Sequence, residues 1–250
     1  DEIPNDITRK TPACFEPAID YCVVKIPRWT FEKFPDADET LTTQMKSVGE
    51  AMSIGRTFKE ALQKGIRSME VKLFGLGLDR IDKWLRAQRS KQGLVSSTGA
   101  VVEDMQFPVE EGKLHRKLSV PSQGRLYYIR YALKMGWTIE RINELTHIDP
   151  WFLRQIEALR TMRDRIAGRP LEAIGATGMR QLKRAGFLDG QIGKLVAPRA
   201  AETAVRAHRL ALGVRPVYSR VDTCAGEFPA ITPYLYSNYE QVCEALPTDR

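Results

Sequence analysis

The side chains that most often carry out catalysis are few in this sequence and far apart. The three histidines are His115, His147 and His208. A histidine that acts as a general base is oriented by a hydrogen-bonding partner, and no such partner pattern surrounds any of the three. We therefore interpret each histidine as a surface or helix-end residue.

The four cysteines, Cys14, Cys22, Cys224 and Cys243, are also scattered. None of them has the C-x-x-C spacing of a zinc site, and no nearby histidine completes a ligand set. In a chain of 250 residues this pattern is typical of reduced, partly buried thiols in a cytosolic protein. We expect no metal site.

Acidic side chains and glycine loops indicate no site either. Glu16, Asp20, Glu50 and Asp222 are the acids nearest to the predicted strands, but their positions do not predict that any two of them pair. The sequence has no G-x-x-x-x-G-K-[ST] or G-x-G-x-x-G loop of the kind that binds phosphates. The residues by themselves therefore predict no catalytic, cofactor-binding or metal-binding residue.

The composition is that of an ordinary soluble protein, with 28% charged and 43% hydrophobic residues. The formal net charge of +7 raises the question of a nucleic-acid partner. However, the basic residues are spread along the chain among acidic ones, which is typical of a solvated surface. No apolar run approaches the roughly 20 residues that a membrane-spanning helix needs.

The first seventy residues predict a small α/β piece. A strand is expected at 19–26, ended by Pro27, and its apolar residues on both alternating sets predict that both faces are covered. Gly49 and Gly55 bracket a second strand. Thr57 and Glu60 then have the spacing of a capping box, which starts an amphipathic helix.

The rest of the chain is predicted to be mainly helical. In residues 72–124 the apolar residues do not recur with a sustained helical or strand period, which indicates a linker or insertion. A helix begins at Arg125 and ends at Gly136, another follows Thr138, and Asp149 before Pro150 is a strong helix start. Shorter helices are expected at 179–185, 191–196 and 199–212, and the chain is extended again from residue 214.

Two helix pairs leave a second interpretation open. "TIERINELTHIDPWFLRQIEALR" and "MRQLKRAGFLDGQIGKLV" each resemble a helix–turn–helix, so an independent DNA-binding protein is the alternative. Glu140, Glu144 and Asp149 place negative charge where the first pair would meet phosphates. A helical bundle is the favoured interpretation, because such short pairs are common in all-α domains.

Several stretches together resemble the middle of the large subunit of carbamoyl-phosphate synthase. They are "TPACFEPAIDYCVVKIPRWTFEKF", "LTTQMKSVGEAMSIGRTFKEALQKGIRSME", "NELTHIDPWFLRQIE", "LKRAGF" and "RVDTCAGEFPAITPYLYSNYE". The first two are long and distinctive. The resemblance is weak across residues 71–113, where this chain looks longer than the family pattern.

The resemblance implies a division of the chain into four parts. Residues 1–71 would be the C-terminal end of the first ATP-grasp domain, which makes carboxyphosphate, and 72–124 a variable linker. Residues 125–213 would be a helical oligomerisation domain, and 214–250 an extended connection toward the second synthetase half. The abrupt start and end are then expected for a segment of a longer chain.

The resemblance also implies what the whole enzyme does. It would be a cytoplasmic ligase that makes carbamoyl phosphate from bicarbonate, ammonia from glutamine, and ATP, for arginine and pyrimidine biosynthesis. It would use ATP with magnesium or manganese, and its partners would be the other halves of the large subunit and a glutaminase small subunit. The family's catalytic residues fall outside residues 1–250, so we expect this segment to be inactive alone, with no cofactor of its own.

Self-association is the activity that the resemblance implies for this segment itself, with neither nucleic acid nor membrane as a partner. Tyr127, Tyr128 and Tyr131 on one helix, with the nearby Trp137, are the expected contact, because aromatic residues are enriched in interfaces. The alternative is that these rings fill the core of the domain itself.

Overall fold

The structure is a computed structural model that describes residues 3–34, 36–69, 74–77 and 109–245. It is mainly α-helical with a small α/β piece, as the sequence predicts. Two separate antiparallel hairpins accompany the helices, one before them in the chain and one after them.

The first hairpin pairs β1 (Cys22–Arg28) with β2 (Gly49–Gly55), and Cys22 lies opposite Gly55. Helix α1 (Phe58–Ser68) packs on the inner face of this hairpin. Gly65 allows the close approach, because a Cβ there would lie 2.8 Å from Cδ1 of Ile26 and 2.9 Å from Oγ of Ser53. A side chain at this position would push α1 off the sheet.

Two predictions for β1 are wrong. The strand begins three residues later than expected and continues through Pro27 to Arg28, which is possible because both strands of a two-stranded sheet are edges and tolerate a missing N–H. Its outer face is also not covered, since Val23 is 45% exposed and Met52 of β2 is 66% exposed. Apolar residues on both alternating sets therefore did not indicate burial on both faces.

The predicted cap of α1 forms with one change. Oγ1 of Thr57 accepts a hydrogen bond from the Glu60 amide at 3.3 Å. The Glu60 carboxylate accepts from the amide of Arg56 at 2.9 Å rather than from that of Thr57. The helix start is confirmed, and the return bond of the capping box is displaced by one residue.

Seven further helices follow α1 in the described part of the chain. They are α2 (Glu111–Ser119), α3 (Arg125–Lys134), α4 (Ile139–Thr146), α5 (Pro150–Ile166), α6 (Ala176–Arg184), α7 (Asp189–Leu195) and α8 (Glu202–Ala211). One apolar core joins them and includes Leu62 and Ile66 of α1. The helices and α1 therefore share a single hydrophobic core.

The predicted caps at Thr138, Asp149 and Gly136 are confirmed. The three shorter helices are present, but their ends differ by one to three residues from the predicted 179–185, 191–196 and 199–212. Oγ1 of Thr138 accepts from the Arg141 amide, and Oδ1 of Asp149 accepts from the Trp151 amide at 2.7 Å. Gly136 after α3 has φ +80°, the left-handed conformation of a C-terminal glycine. These signals were readable because each cap involves residues at most three positions apart.

Helix α2 lies in the stretch 72–124, for which the sequence predicted a linker without helical period. Its apolar face has only two fully buried residues, Leu114 and Leu118, which is too short a pattern to stand out. Ile81, Trp84 and Leu85 in the same stretch also suggest a short amphipathic helix at 79–89, and this prediction lies outside the described residues.

After α8 the chain forms the second hairpin, β3 (Val217–Arg220) and β4 (Leu235–Asn238), with Val217 opposite Asn238. This confirms the predicted return to extended structure. None of the helices in the described ranges is long and apolar enough to cross a membrane.

Candidate functional site

The three histidines occupy separate positions on α2, at the end of α4 and on α8. His115 is exposed, and His147 has φ 55° where α4 ends. Nε2 of His208 lies 2.9 Å from the carbonyl oxygen of Ile174. The three histidines therefore lie in separate parts of the fold as well as of the sequence. No hydrogen bond within the described ranges joins one of them to another.

The four cysteines are free thiols in the structure. Cys14 and Cys243 are exposed, Cys22 is half-buried and Cys224 is buried. Burial raises the pKa of the Cys22 thiol, which lowers its reactivity because the thiolate is the nucleophile. Among the residues that the structure describes, no three His, Cys, Asp or Glu side chains lie together so that they could hold a metal ion.

Two of the four acids near the strands are brought to one place. The carboxylate of Asp20 forms an ion pair with Arg56, which also donates to the hydroxyl of Tyr236 at 3.4 Å. The hydroxyl of Tyr21 donates to Asp222 at 2.8 Å. We call these five residues the polar bridge, because they connect the first hairpin region with the second.

The polar bridge stabilises contacts rather than supplying a base. Burial, followed by the hydrogen bond to Asp222, raises the pKa of Tyr21 to about 12. Tyr21 is therefore a neutral donor at physiological pH. Of the other two acids, Glu16 is exposed, and Glu50 forms an exposed ion pair with Lys25 at 2.9 Å.

A buried ion cluster lies where α6, α7 and α8 meet, and consists of Lys183, Asp189 and Arg209. Nζ of Lys183 donates to Oδ1 of Asp189 at 2.7 Å, and Nε and Nη2 of Arg209 donate to the same carboxylate at 2.9–3.1 Å. All three side chains are less than a tenth exposed. Burial alone would raise the pKa of Asp189, but the hydrogen bonds from Arg209 and Lys183 outweigh it and lower that pKa.

The same cations bind the main chain around them. Nη1 of Arg209 donates to the carbonyl oxygen of Val214 at 2.8 Å, and Nζ of Lys183 donates to that of Phe187 at 2.7 Å. The ring of Tyr239, directly after β4, lies over both cations, with its centroid 5.2 Å from Nζ of Lys183 and 5.6 Å from Cζ of Arg209. The cluster therefore holds the second hairpin region against the helices.

Basic side chains of α1 complete this arrangement. Nζ of Lys64 donates to the carbonyl oxygens of Ile54 in β2 and Ser237 in β4, and pairs with Glu60 at 3.0 Å. Nη1 of Arg67 donates to the carbonyl oxygen of Gly186 at 2.9 Å. We call the meeting point of α1, the α6–α7 turn and the second hairpin the junction.

The α6–α7 turn can approach α1 only because Gly186 lacks a side chain. A Cβ at this position would lie 2.8 Å from Cβ of Gln63 and 3.2 Å from Cα of Glu60. Its φ of +86° also favours glycine. The junction is thus a closely packed contact between three parts of the chain. Its charged groups are suited to holding the structure together or to binding an anion, and its described residues include no pair of a nucleophile and a general base.

The sequence did not predict the ion cluster. Asp189 and Arg209 are 20 residues apart, and no local spacing rule connects them. The sequence offered one indication, the position of Asp189 directly after the apolar residues Phe187 and Leu188. An acid next to apolar residues suggests burial, and a buried charge requires a partner because an unpaired one is costly.

Comparison with known proteins identifies the family. The family described as "Carbamoyl-phosphate synthetase large chain, oligomerisation domain" matches residues 50–100 and 83–213. The chain belongs to this family. The match includes α1 and all the helices described after it, as well as two of the three elements of the junction.

Relatives with curated descriptions agree with this family. The carbamoyl phosphate synthase large chain of Rhodopirellula baltica is 50% identical over 244 residues, which are 97% of this chain and 21% of that protein. The large chain of Synechocystis sp. is 46% identical over 250 residues, 100% of this chain and 21% of the relative. The arginine-specific, chloroplastic large chain of Oryza sativa subsp. japonica is 46% identical over 250 residues, which are 100% of this chain and 19% of that protein. This chain spans about a fifth of these relatives.

The DNA-binding alternative receives no support from the family match or from the described residues. The two candidate helix pairs, α4–α5 and α6–α7, belong to the oligomerisation-domain match. Ile142, Leu153, Met179 and Ile192, one from each helix, are fully buried in the same core. The pairs are therefore parts of one bundle, as the favoured interpretation predicted.

The aromatic residues expected at a self-association contact lie mostly inside the domain. Tyr131 and Trp137 are buried, and Tyr127 and Tyr128 are partly buried against the core. The alternative that these rings fill the core is thus correct for Tyr131 and Trp137, and a contact through these two is wrong. They pack inward because α3 runs between α2, α4 and α5. A contact through the partly buried Tyr127 and Tyr128 stays a prediction.

Proposed function

We propose that this chain is a non-catalytic structural and assembly segment of a carbamoyl phosphate synthase large chain. The observation that carries the proposal is the match of the oligomerisation-domain family to residues 50–100 and 83–213. The junction supports it, because its described groups form ion pairs and main-chain hydrogen bonds between parts of the chain. Such contacts stabilise a scaffold.

The proposal extends to the whole protein to which this segment would belong. That protein would make carbamoyl phosphate from bicarbonate, ammonia from glutamine, and ATP, with magnesium or manganese bound outside this segment. It would be cytoplasmic, and its product would serve arginine and pyrimidine biosynthesis. The description of the rice relative as arginine-specific supports the first of these two routes.

We propose four parts for the chain, with the boundaries that the resemblance implies. Residues 1–71 end the first ATP-grasp domain, 72–124 are a variable linker, 125–213 form the oligomerisation domain, and 214–250 lead toward the second synthetase half. Helix α2 packs with α3 and α4, so the proposed linker ends in a helix that lies against the oligomerisation domain.

The assembly part of the proposal is tested by light scattering of this chain over a range of concentrations. We expect a dimer or a larger closed assembly, because symmetric dimers are the commonest oligomers. The partners proposed for the whole protein are a second copy, the remaining halves of the large chain and a glutaminase subunit. A monomer at every concentration would contradict self-association.

The absence of catalysis is tested separately, by assaying ATP hydrolysis and carbamoyl phosphate formation with the chain alone and with the full-length protein. We expect turnover only from the full-length protein. Turnover by the chain alone that persists through further purification, and that is lost on mutation of a residue in 1–250, would show a catalytic site here.

A further inference from the structure

A cavity of about 220 Å³ lies at the centre of the junction. Its walls come from one face of α1, from the turn that follows α6, and from the second hairpin. The charged and hydroxyl-bearing residues that line it include Glu60, Lys64, Arg67, Lys183, Tyr218 and Tyr239. The polar bridge lies outside this lining.

The charges around the cavity do not balance. Glu60 pairs with Lys64, so these two charges offset each other. The single carboxylate of Asp189 is shared by two cations, Lys183 and Arg209. Within the described ranges Arg67 forms no ion pair and uses only Nη1, toward the carbonyl oxygen of Gly186. The group therefore carries an excess of two positive charges.

These cations are also poorly hydrated. Burial is the main cause that lowers the pKa of Lys64, of Arg67 and of Lys183. The positive charge of Arg67 lowers the pKa of both lysines further. A bound anion would offset both effects, because it supplies the charge that the cavity lacks.

Several hydrogen-bond donors around the cavity are not in use. In the described part of the chain, Nε and Nη2 of Arg67 and the hydroxyl groups of Tyr218 and Tyr239 donate to no protein atom. Lys183 uses its ammonium group for two protein acceptors and so has a third N–H. A guanidinium edge, an ammonium and two hydroxyls form a donor set suited to a tetrahedral oxyanion.

We propose that the junction cavity binds a phosphate-type oxyanion, either free phosphate or the phosphoryl group of a larger ligand. Arg67 contacts two of its oxygens, and Lys183 and Tyr239 contact the others. Because the donors belong to α1, to α6 and to the segment after β4, the bound anion ties three parts of the chain together. This inference rests on the cavity and does not depend on the proposed function.

The test uses the whole chain with inorganic phosphate as the probe, by titration calorimetry and by thermal unfolding. Sodium chloride at equal ionic strength and succinate are the comparison solutes. We expect saturable phosphate binding at one site and a rise in melting temperature that neither comparison solute produces. Equal effects of phosphate and chloride, or tighter binding of succinate, would overturn the proposal.

The variant Arg67→Met and a matched control locate the site. Arg67→Met removes the guanidinium and should weaken phosphate binding about tenfold or more. Arg154→Met removes the same charge from an exposed position on α5 and should leave the binding constant unchanged within about twofold. Identical binding by wild type and Arg67→Met would contradict the assignment.

Tyr239→Phe keeps the test decisive if Arg67→Met fails to fold. The variant retains the ring over Lys183 and loses only the hydroxyl, so phosphate binding should weaken about threefold or more. An unchanged affinity would exclude Tyr239 and overturn the proposed donor set.

Finally, a phosphate monoester is compared with free phosphate. Tighter binding of the ester indicates a phosphoryl group of a larger ligand, and weaker binding indicates free phosphate.

Discussion

The helical region and the first hairpin bury their apolar side chains to different extents. Leu114, Ile142 and Leu153 of the helices are completely inaccessible, whereas Val23 and Met52 on the outer face of the hairpin are about half to two-thirds exposed. The helices and α1 therefore form one core, against which only the inner face of the hairpin packs. The hairpin is stabilised on one face only, by α1 and by the contacts of the junction and the polar bridge.

The largest effect is expected where the helices and the second hairpin region meet. Asp189→Asn removes the carboxylate shared by Lys183 and Arg209 and leaves two cations buried without a counter-charge. We expect a loss of about 3–5 kcal/mol in the free energy of unfolding, measured by urea denaturation.

Asp164→Asn is the matched control for this change. Asp164 is exposed on α5 and pairs with Arg160 at 3.2 Å and with Arg163 at 3.7 Å, and its loss should cost about 0–1 kcal/mol. If the two variants were equally stable, the ion cluster would contribute no more than a surface pair, and the helices and the hairpin would be independent of it.

A second pair of variants compares the two regions directly. Leu153→Ala opens a cavity in the helical core and should cost about 3–5 kcal/mol. Val23→Ala on the outer face of the hairpin should change the free energy of unfolding by no more than about 0.5 kcal/mol. Thermal and urea unfolding measure both. A comparable loss for Val23→Ala would mean that the outer face is covered in solution, for example by a second copy of the chain.

The polar bridge should give a smaller effect that depends on pH. Tyr21→Phe removes one hydrogen bond to Asp222, at a cost of about 1 kcal/mol near pH 7. Because the pKa of Tyr21 rises from 10.0 to about 12 on folding, the unfolded chain loses this proton first. The stabilisation by neutral Tyr21 is therefore complete below pH 10 and is lost as the pH rises toward about 12.

Urea unfolding of wild type and Tyr21→Phe at a series of alkaline pH values measures this linkage. The difference between the two proteins should shrink as the pH rises through that window. A constant difference would show that Tyr21 titrates with the same pKa in both states. The comparison cancels the contributions of the other tyrosines.

The smallest effect is expected from a single helix cap within the helical region. Asp149→Ala removes the acceptor for the Trp151 amide at the start of α5 and should cost about 1 kcal/mol. Glu144→Ala, on the exposed side of α4, is the control and should stay within about 0.5 kcal/mol. An unchanged melting curve for Asp149→Ala would refute the cap.

The parts of the fold that the sequence predicted are those set by neighbouring residues. Thr138, Asp149 and Gly136 mark helix ends through contacts within one turn, and the structure confirms them. Helix α2 was missed because its inward face carries only Leu114 and Leu118. The local pattern was too short to distinguish a helix from a linker.

The site depends on contacts that no local pattern encodes. Lys64 and Ser237 are 173 positions apart, and Tyr21 and Asp222 are 201 apart. Likewise, Tyr131 and Trp137 could be assigned to the core or to an interface only once the neighbours of α3 were known. The sequence therefore predicted the elements, while the three-dimensional packing determined which side chains meet.

The junction also determines how the chain would carry a pulling force. The backbone leaves α1 at residue 68, passes through the helices, and returns to α1 through the contact of Lys64 with Ser237. Tension between the first hairpin and the second is thus transmitted directly across the polar bridge and Lys64, and in parallel through Tyr239 and the ion cluster to α6 and α8. The longer path along the backbone of the helices bears load only after these contacts break. Under load the two hairpins should separate first, while the helical bundle is still folded.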